Sequence, residues 1–178
     1  MARHILLLRG INVGARNRIA MPELRRVLTD AEFEDVRTYL QSGNVVLSSA
    51  AKPDVVARKC EQLIERTFGL DVDVIVRTKA ELTRVVERNP LGEIATDPKR
   101  YQVSFLATKP KADVVKRLEA AARAPEQFVA VGREIYAWHP DSIARSKLWA
   151  LLGGRQLGVT ATSRNWSTVT KLLAAAKS

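Results

Sequence analysis

The sequence predicts an α+β fold of two similar ferredoxin-like (split βαβ) halves, each an antiparallel sheet with helices packed on one face. Three observations carry that expectation. Apolar spacing over the first half alternates between strand and helix periods in the order β-α-β-β-α-β. A similar order returns after residue 100. Between them a polar stretch, 93–100, follows the break Asn89-Pro90-Leu91-Gly92. We therefore expect a first half at 1–90, including a connecting helix, and a second at 99–178, ending in a helix.

Residues 3–8 read as a buried strand, and a long polar loop, 9–20, follows it with Gly10 and Gly14 as punctuation. Met21-Pro22-Glu23 opens a helix: Pro suits the first turn, Glu23 complements the positive helix end, and Leu24, Val27, Leu28 and Ala31 recur at helical spacing. Strand-like runs at 36–41 and 45–48 flank Ser42-Gly43-Asn44, where Gly43 and Asn44 tolerate positive φ, so the segment reads as a hairpin. Pro53 starts a second helix with the stripe Val56, Cys60, Leu63, Ile64 and Phe68, and Gly69 stops it. A strand at 72–76 closes the first half, and a connecting helix spans 80–87.

The second half opens on a strand at 102–107 and a helix after Pro110 with Val114, Val115, Leu118 and Ala122 on one face. Runs at 128–131 and 134–138 flank Gly132-Arg133, a second hairpin closed by His139-Pro140. Leu148, Trp149, Leu151 and Leu152 suggest a short helix ended by Gly153-Gly154. The last helix reads as capped by Thr162 or Ser163, with Trp166, Val169, Leu173 and Ala176 on one face, and no final strand is evident.

Apolar residues make up 46% and charged residues 27% of the 178 positions, which is globular composition. The longest apolar runs fall far short of the roughly 20 residues of a membrane span, and no cleavage signal follows the N-terminal strand, so a cytoplasmic protein is expected. One cysteine and two histidines predict no disulfide, no zinc site and no cofactor. Net charge is +10. Residues 1–98 hold 15 Lys and Arg against 14 Asp and Glu, whereas 99–178 hold 14 against 5. The stretches 1–22 and 142–178 contain no carboxylate and would attract anions if they met.

Three constellations are candidate ligand sites. In the first loop, Gly10 and Gly14 permit close backbone approach while Arg9, Asn12, Arg16, Asn17 and Arg18 supply donors and charge for a phosphate or carboxylate. The alternative is that Asn12 and Asn17 only satisfy loop backbone groups. The turn Gln41-Ser42-Gly43-Asn44 is either an adjoining site or a tight turn. Ser163, Arg164 and Asn165, with Lys171, would converge on an anion at a helix start, or would simply cap it. No Walker motif, zinc-protease helix or nucleophile elbow occurs, and His4 and His139 read as structural. Asp71 and Asp73 read as an ion-pair face, Cys60 as a core thiol, and Trp166, Tyr39 and Trp138 as core or stacking residues.

LLRGINVGARNRIAMPEL at 7–24 and VRTYLQSGNVVLSS at 36–49 resemble the domain of unknown function 1697 family, reinforced by Arg164-Asn165-Trp166, Thr168, Val169 and Lys171-Leu172. The resemblance implies a duplicated ferredoxin-like fold and no established activity. Members usually carry a glycine after Gly14 and another before Phe33, where this chain has Ala15 and Glu32. An RNP-type aromatic pattern is missing around Tyr101 and Phe105. The leading expectation is binding of a nucleic acid or nucleotide through a basic surface. The alternatives are an enzyme acting on a small anionic metabolite between the halves, or a homodimeric assembly protein without catalysis.

Overall fold

The computed structural model describes residues 1–178 and divides into two compact units, Met1–Arg84 with Lys171–Ser178, and Val85–Thr170. The first unit holds β1 (Ala2–Leu8), α1 (Met21–Asp30), β2 (Glu34–Tyr39), β3 (Asn44–Ser49), α2 (Pro53–Phe68) and β4 (Val74–Thr78). The helix α3 (Lys79–Arg88) follows. The second unit holds β5 (Tyr101–Leu106), α4 (Ala112–Ala121), β6 (Gln127–Val131), β7 (Glu134–Trp138), α5 (Lys147–Gly153), a 3-10 turn (Arg155–Leu157) and β8 (Ala161–Asn165). The last helix, α6, runs Trp166–Lys177. The boundary expected at 90–99 differs from this partition, which cuts within α3 and returns the end of α6 to the first unit.

The two sheets repeat one topology. Their strand orders are β2-β3-β1-β4 and β6-β7-β5-β8, antiparallel at every pairing. In the first unit Leu6, Leu8, Val45 and Leu47 meet Leu24, Leu28, Val56, Cys60 and Ile64 in a core of fully shielded side chains. In the second, Leu106, Ile135 and Ala137 meet Val114, Leu118, Leu148 and Leu152. Each buried Leu or Ile removes enough apolar surface to stabilise its unit by about 1.5–3 kcal/mol relative to exposure.

The repeat also holds at single residues. Ile5 pairs with Arg77 across β1 and β4, and Val103 with Arg164 across β5 and β8. Ile5 and Val103 alternate with the helix-facing Leu6 and Ser104, so both arginines stand on the opposite face of their sheets. Both are buried. The next residue then caps a helix. Thr78 and Glu81 form a reciprocal box on α3, Thr78 N–H donating to Glu81 Oε2 at 2.8 Å and Glu81 N–H to Thr78 Oγ1 at 3.2 Å. Asn165 Oδ1 accepts from Thr168 N–H at 2.9 Å on α6.

Three expectations are corrected. A last strand does exist: 161–165 is β8, its edges hidden in sequence by a Ser/Thr-rich composition that imitates a helix cap. Capping of α6 accordingly falls to Asn165 rather than Thr162 or Ser163. The fourth strand begins at Val74, two residues later than its apolar run suggests. No helix is long and apolar enough to cross a membrane.

Candidate functional site

Loop 9–20 and the turn before β3 form one clasp in the first unit, and Asn12 is its pin. Asn12 holds φ +55, a conformation asparagine tolerates better than most residues. Its Nδ2 donates to Ile19 O at 2.9 Å and to Gln41 O at 2.6 Å, and its Oδ1 accepts from Ile19 N–H at 2.8 Å. Asn12 N–H donates to Asn17 O at 2.9 Å, and Asn17 Nδ2 reaches back to Gly10 O at 3.3 Å. The Asn12 amide is therefore spent inside the protein, and the exposed Asn17 turns its Nδ2 inward to the loop. Arg9 is engaged as well, lying 3.5 Å from the Asp73 carboxylate. What remains outward is the exposed pair Arg16 and Arg18.

The turn is held by shape. Gly43 sits at φ +79, where a Cβ would lie 2.7 Å from Ile11 Cδ1 and 2.8 Å from Leu8 Cβ, so no side chain fits. Asn44 is fully buried and donates to Tyr39 O at 3.0 Å and Ser42 Oγ at 2.9 Å. Gly10 and Gly14 take φ +66 and +65 with open space where a side chain would stand. Ala15 does not adopt positive φ, so the alanine there strains nothing, whereas Glu32 does, at +68.

The third sequence candidate does not gather around a helix start. Ser163 Oγ lies 2.6 Å from Ser104 Oγ across the β5–β8 pairing. Arg164 is buried, donates to Thr162 Oγ1 at 2.8 Å and to Ser163 O at 2.9 Å, and burial lowers its pKa to about 10. Asn165 is the cap already described, and Lys171 is exposed on α6. Trp166 stacks on Tyr101 at a ring-centroid distance of 4.8 Å, a packing role.

A site that sequence reasoning missed lies in the second unit. Residues between the end of α4 and the start of α5 enclose a cavity of about 420 Å³. His139 lines it and is buried. Its Nδ1 lies 2.6 Å from Glu126 Oε2, and the Ser146 hydroxyl donates to the same oxygen at 2.5 Å. Ser146 Oγ in turn accepts from Trp149 N–H at 2.9 Å as the cap of α5. Trp149 meets the His139 ring edge-on at 5.9 Å. The sequence of contacts is Ser–Glu–His, so the serine proton points at a carboxylate rather than at imidazole. That order gives no activated nucleophile. Arg123, Arg145 and Lys147 stand exposed on the same lining.

The other reactive groups are closed off. Burial pushes the Cys60 thiol up to about 12, which leaves it inert at neutral pH. Burial also lowers the pKa of His4, outweighing the backbone of Ser49 and Ala51, and keeps its ring neutral. No group of three His, Cys, Asp or Glu side chains is placed to hold a metal ion.

Partition by unit also changes the charge argument. Val85–Thr170 carries 13 Lys and Arg against 8 Asp and Glu, and the first unit 16 against 11, so each is +5. The asymmetry seen between 1–98 and 99–178 arises because Glu87, Arg88, Glu93 and Asp97 fall in the second unit and Lys171 and Lys177 in the first.

The chain is similar over 98% of its length to the conserved bacterial protein SP0830 of Streptococcus pneumoniae, with 98% of that chain covered, a TM-score of 0.80 and 23% identity, which is a likeness of fold. No functionally curated protein matches. A family model matches residues 1–136, most of the sequence and both signature segments. The chain belongs to the DUF1697 family, described as proteins of unknown function.

Proposed function

We propose that this is a cytoplasmic protein that binds a phosphate-bearing partner, a nucleic acid or a nucleotide, through exposed arginines and lysines. The observation that carries the reading is the disposition of Arg123, Arg145, Lys147 and Arg155: they line the two largest cavities described, and no carboxylate is within ion-pair distance of any of them. Four such cations near concave surface are a site for anions. Arg16 and Arg18 add a second cationic patch on the first unit. The clasp residues Arg9, Asn12, Asn17, Gln41, Ser42 and Asn44 serve in this reading to hold that patch rather than to touch the ligand.

The test is binding of labelled single-stranded RNA, single-stranded DNA and duplex DNA at low and physiological salt. Affinity should fall steeply with salt, and Lys147→Ala with Arg155→Ala should reduce the slope of log K against log salt by about 1.4–1.8 if both meet phosphates. Binding that ignores salt, or none at low salt, would remove the reading.

A further inference from the structure

We infer that the cavity between α4 and α5 is a small-molecule site that takes a phosphomonoester. This deepens the reading above, since it rests on the second unit's cations meeting phosphate and names the ligand class they meet. The first support is size. About 420 Å³ lies within the range of pockets that enclose a ligand of nucleotide or sugar-phosphate dimensions, and it is concave rather than a track for a polymer.

The second support is the lining. Arg123 comes from the link after α4, and Arg145 and Lys147 come from the link into α5, so cations approach from two segments. Guanidinium groups match a phosphate dianion with paired parallel N–H donors, and an ammonium adds a point charge. The opposing acids are Asp141 and Glu126. Glu126 Oε2 is engaged by His139 and Ser146, and the lining as a whole sets three cations against two carboxylates.

Behind the lining, a buried histidine is held in place. His139 Nε2 is shielded from solvent and has no hydrogen-bond partner in the protein. Leaving a buried polar atom unsatisfied costs about 1–3 kcal/mol, and neither Glu126 nor Trp149 relieves it. Glu126 fixes the ring by Nδ1, and the His139 side chain is wholly shielded, so the imidazole packs behind the cavity wall and holds the link at 139–146 in place rather than reaching a ligand. Sequence gave no hint of this grouping because Glu126, His139 and Ser146 lie in separate connections with no motif spacing.

The experiment is an amide chemical-shift titration of the full chain with adenosine 5′-monophosphate, glucose 6-phosphate and adenosine. Both phosphates should shift the amides of residues 123, 124, 126, 139 and 141–147, and adenosine should not. A site selective for the nucleotide would respond to adenosine monophosphate and not to the sugar phosphate, which still supports the proposal and narrows its ligand. Arg123→Ala with Arg145→Ala, both at exposed positions that leave the core intact, should weaken binding about tenfold or more. His139→Gln, which keeps a polar side chain, should weaken it less. No shift with either phosphate, shifts scattered elsewhere, or indifference to the double variant would overturn the inference. Polynucleotide binding that survives with a silent cavity would sink this site and leave the basic-surface reading standing. Silence toward both ligand types would sink the two together.

Discussion

The two units share one strand order but lengthen different connections, and that difference places their functional surfaces. In the first unit the link from β1 to α1 runs over 9–20, while the matching link from β5 to α4 needs only 107–111. In the second unit the link from β7 to α5 runs over 139–146, while its counterpart from β3 to α2 needs only 50–52. Because β1 is antiparallel to β3, and β5 to β7, these elaborations sit at opposite ends of the shared motif. The first is closed by its own asparagines. The second encloses a cavity and leaves cations facing it. A duplicated scaffold can thus hold a signature loop whose task is structural and a less conspicuous loop that is better built for a ligand.

The hairpins give the largest contrast between the units. Gly43 and Gly132 occupy the same turn and both have positive φ, +79 and +58. A Cβ on Gly43 collides with Ile11 and Leu8, whereas one on Gly132 meets only Glu134 Oε2 at 3.9 Å. Gly43→Ala combines backbone strain with overpacking and should cost about 3 kcal/mol or more. Gly132→Ala carries the backbone term alone, about 1–2 kcal/mol. Chemical denaturation of the two variants measures the difference directly. Equal losses would mean that the turn against loop 9–20 relaxes freely and that the clasp is not rigid.

Next in size is the pin itself. Replacing Asn12 by Gly keeps the positive φ available and removes only the three side-chain hydrogen bonds, which at about 1 kcal/mol each predicts a loss of about 2–3 kcal/mol. Binding of polyanions by Asn12→Gly should change only as far as Arg16 and Arg18 lose their placement. A variant that keeps full stability yet loses binding would reassign Asn12 from the scaffold to the ligand site.

Helix starts offer a matched pair with a smaller effect. Thr78→Ala on α3 and Asn165→Ala on α6 should each cost about 1 kcal/mol, with Thr78 the larger because its box with Glu81 satisfies two backbone groups. Thermal unfolding of both variants checks the order. The cap at Asn165 also explains what the sequence did and did not disclose. Pro22, Pro53 and Gly69 announce α1 and α2 because they act through their own backbone, and the apolar stripe from Val56 to Ile64 follows at helical spacing. β8 carries no such sign: Thr162, Ser163 and Asn165 are all favoured at helix caps, and only pairing with β5 decides that they extend a strand. The same limit hid the cavity. Its histidine, carboxylate and hydroxyl are brought together by tertiary packing, while Asn12 and Asn17, so prominent as donors, were consumed by a loop whose closure no spacing rule predicts.

The smallest effect has the opposite sign. Glu32 follows α1 in the left-handed region at φ +68, with its N–H donating to Thr29 O at 3.0 Å and Phe33 N–H to Leu28 O at 3.2 Å. This is the position just past a helix end that glycine fills at little steric cost, as Gly69 does after α2 at φ +65. Family resemblance places a glycine there too. A side chain in that conformation costs about 1–2 kcal/mol, while glycine gives back about 0.5–1 kcal/mol through the greater freedom of the unfolded chain. Glu32→Gly should therefore stabilise the protein by about 0.5–1 kcal/mol, seen as a rise in the denaturation midpoint without a change in slope. The Glu32 side chain is exposed and enters no ion pair, so no lost contact competes with the gain. A fall in the midpoint would mean that the first unit tolerates the left-handed turn at no cost, and that glycine at this place reflects something other than backbone geometry.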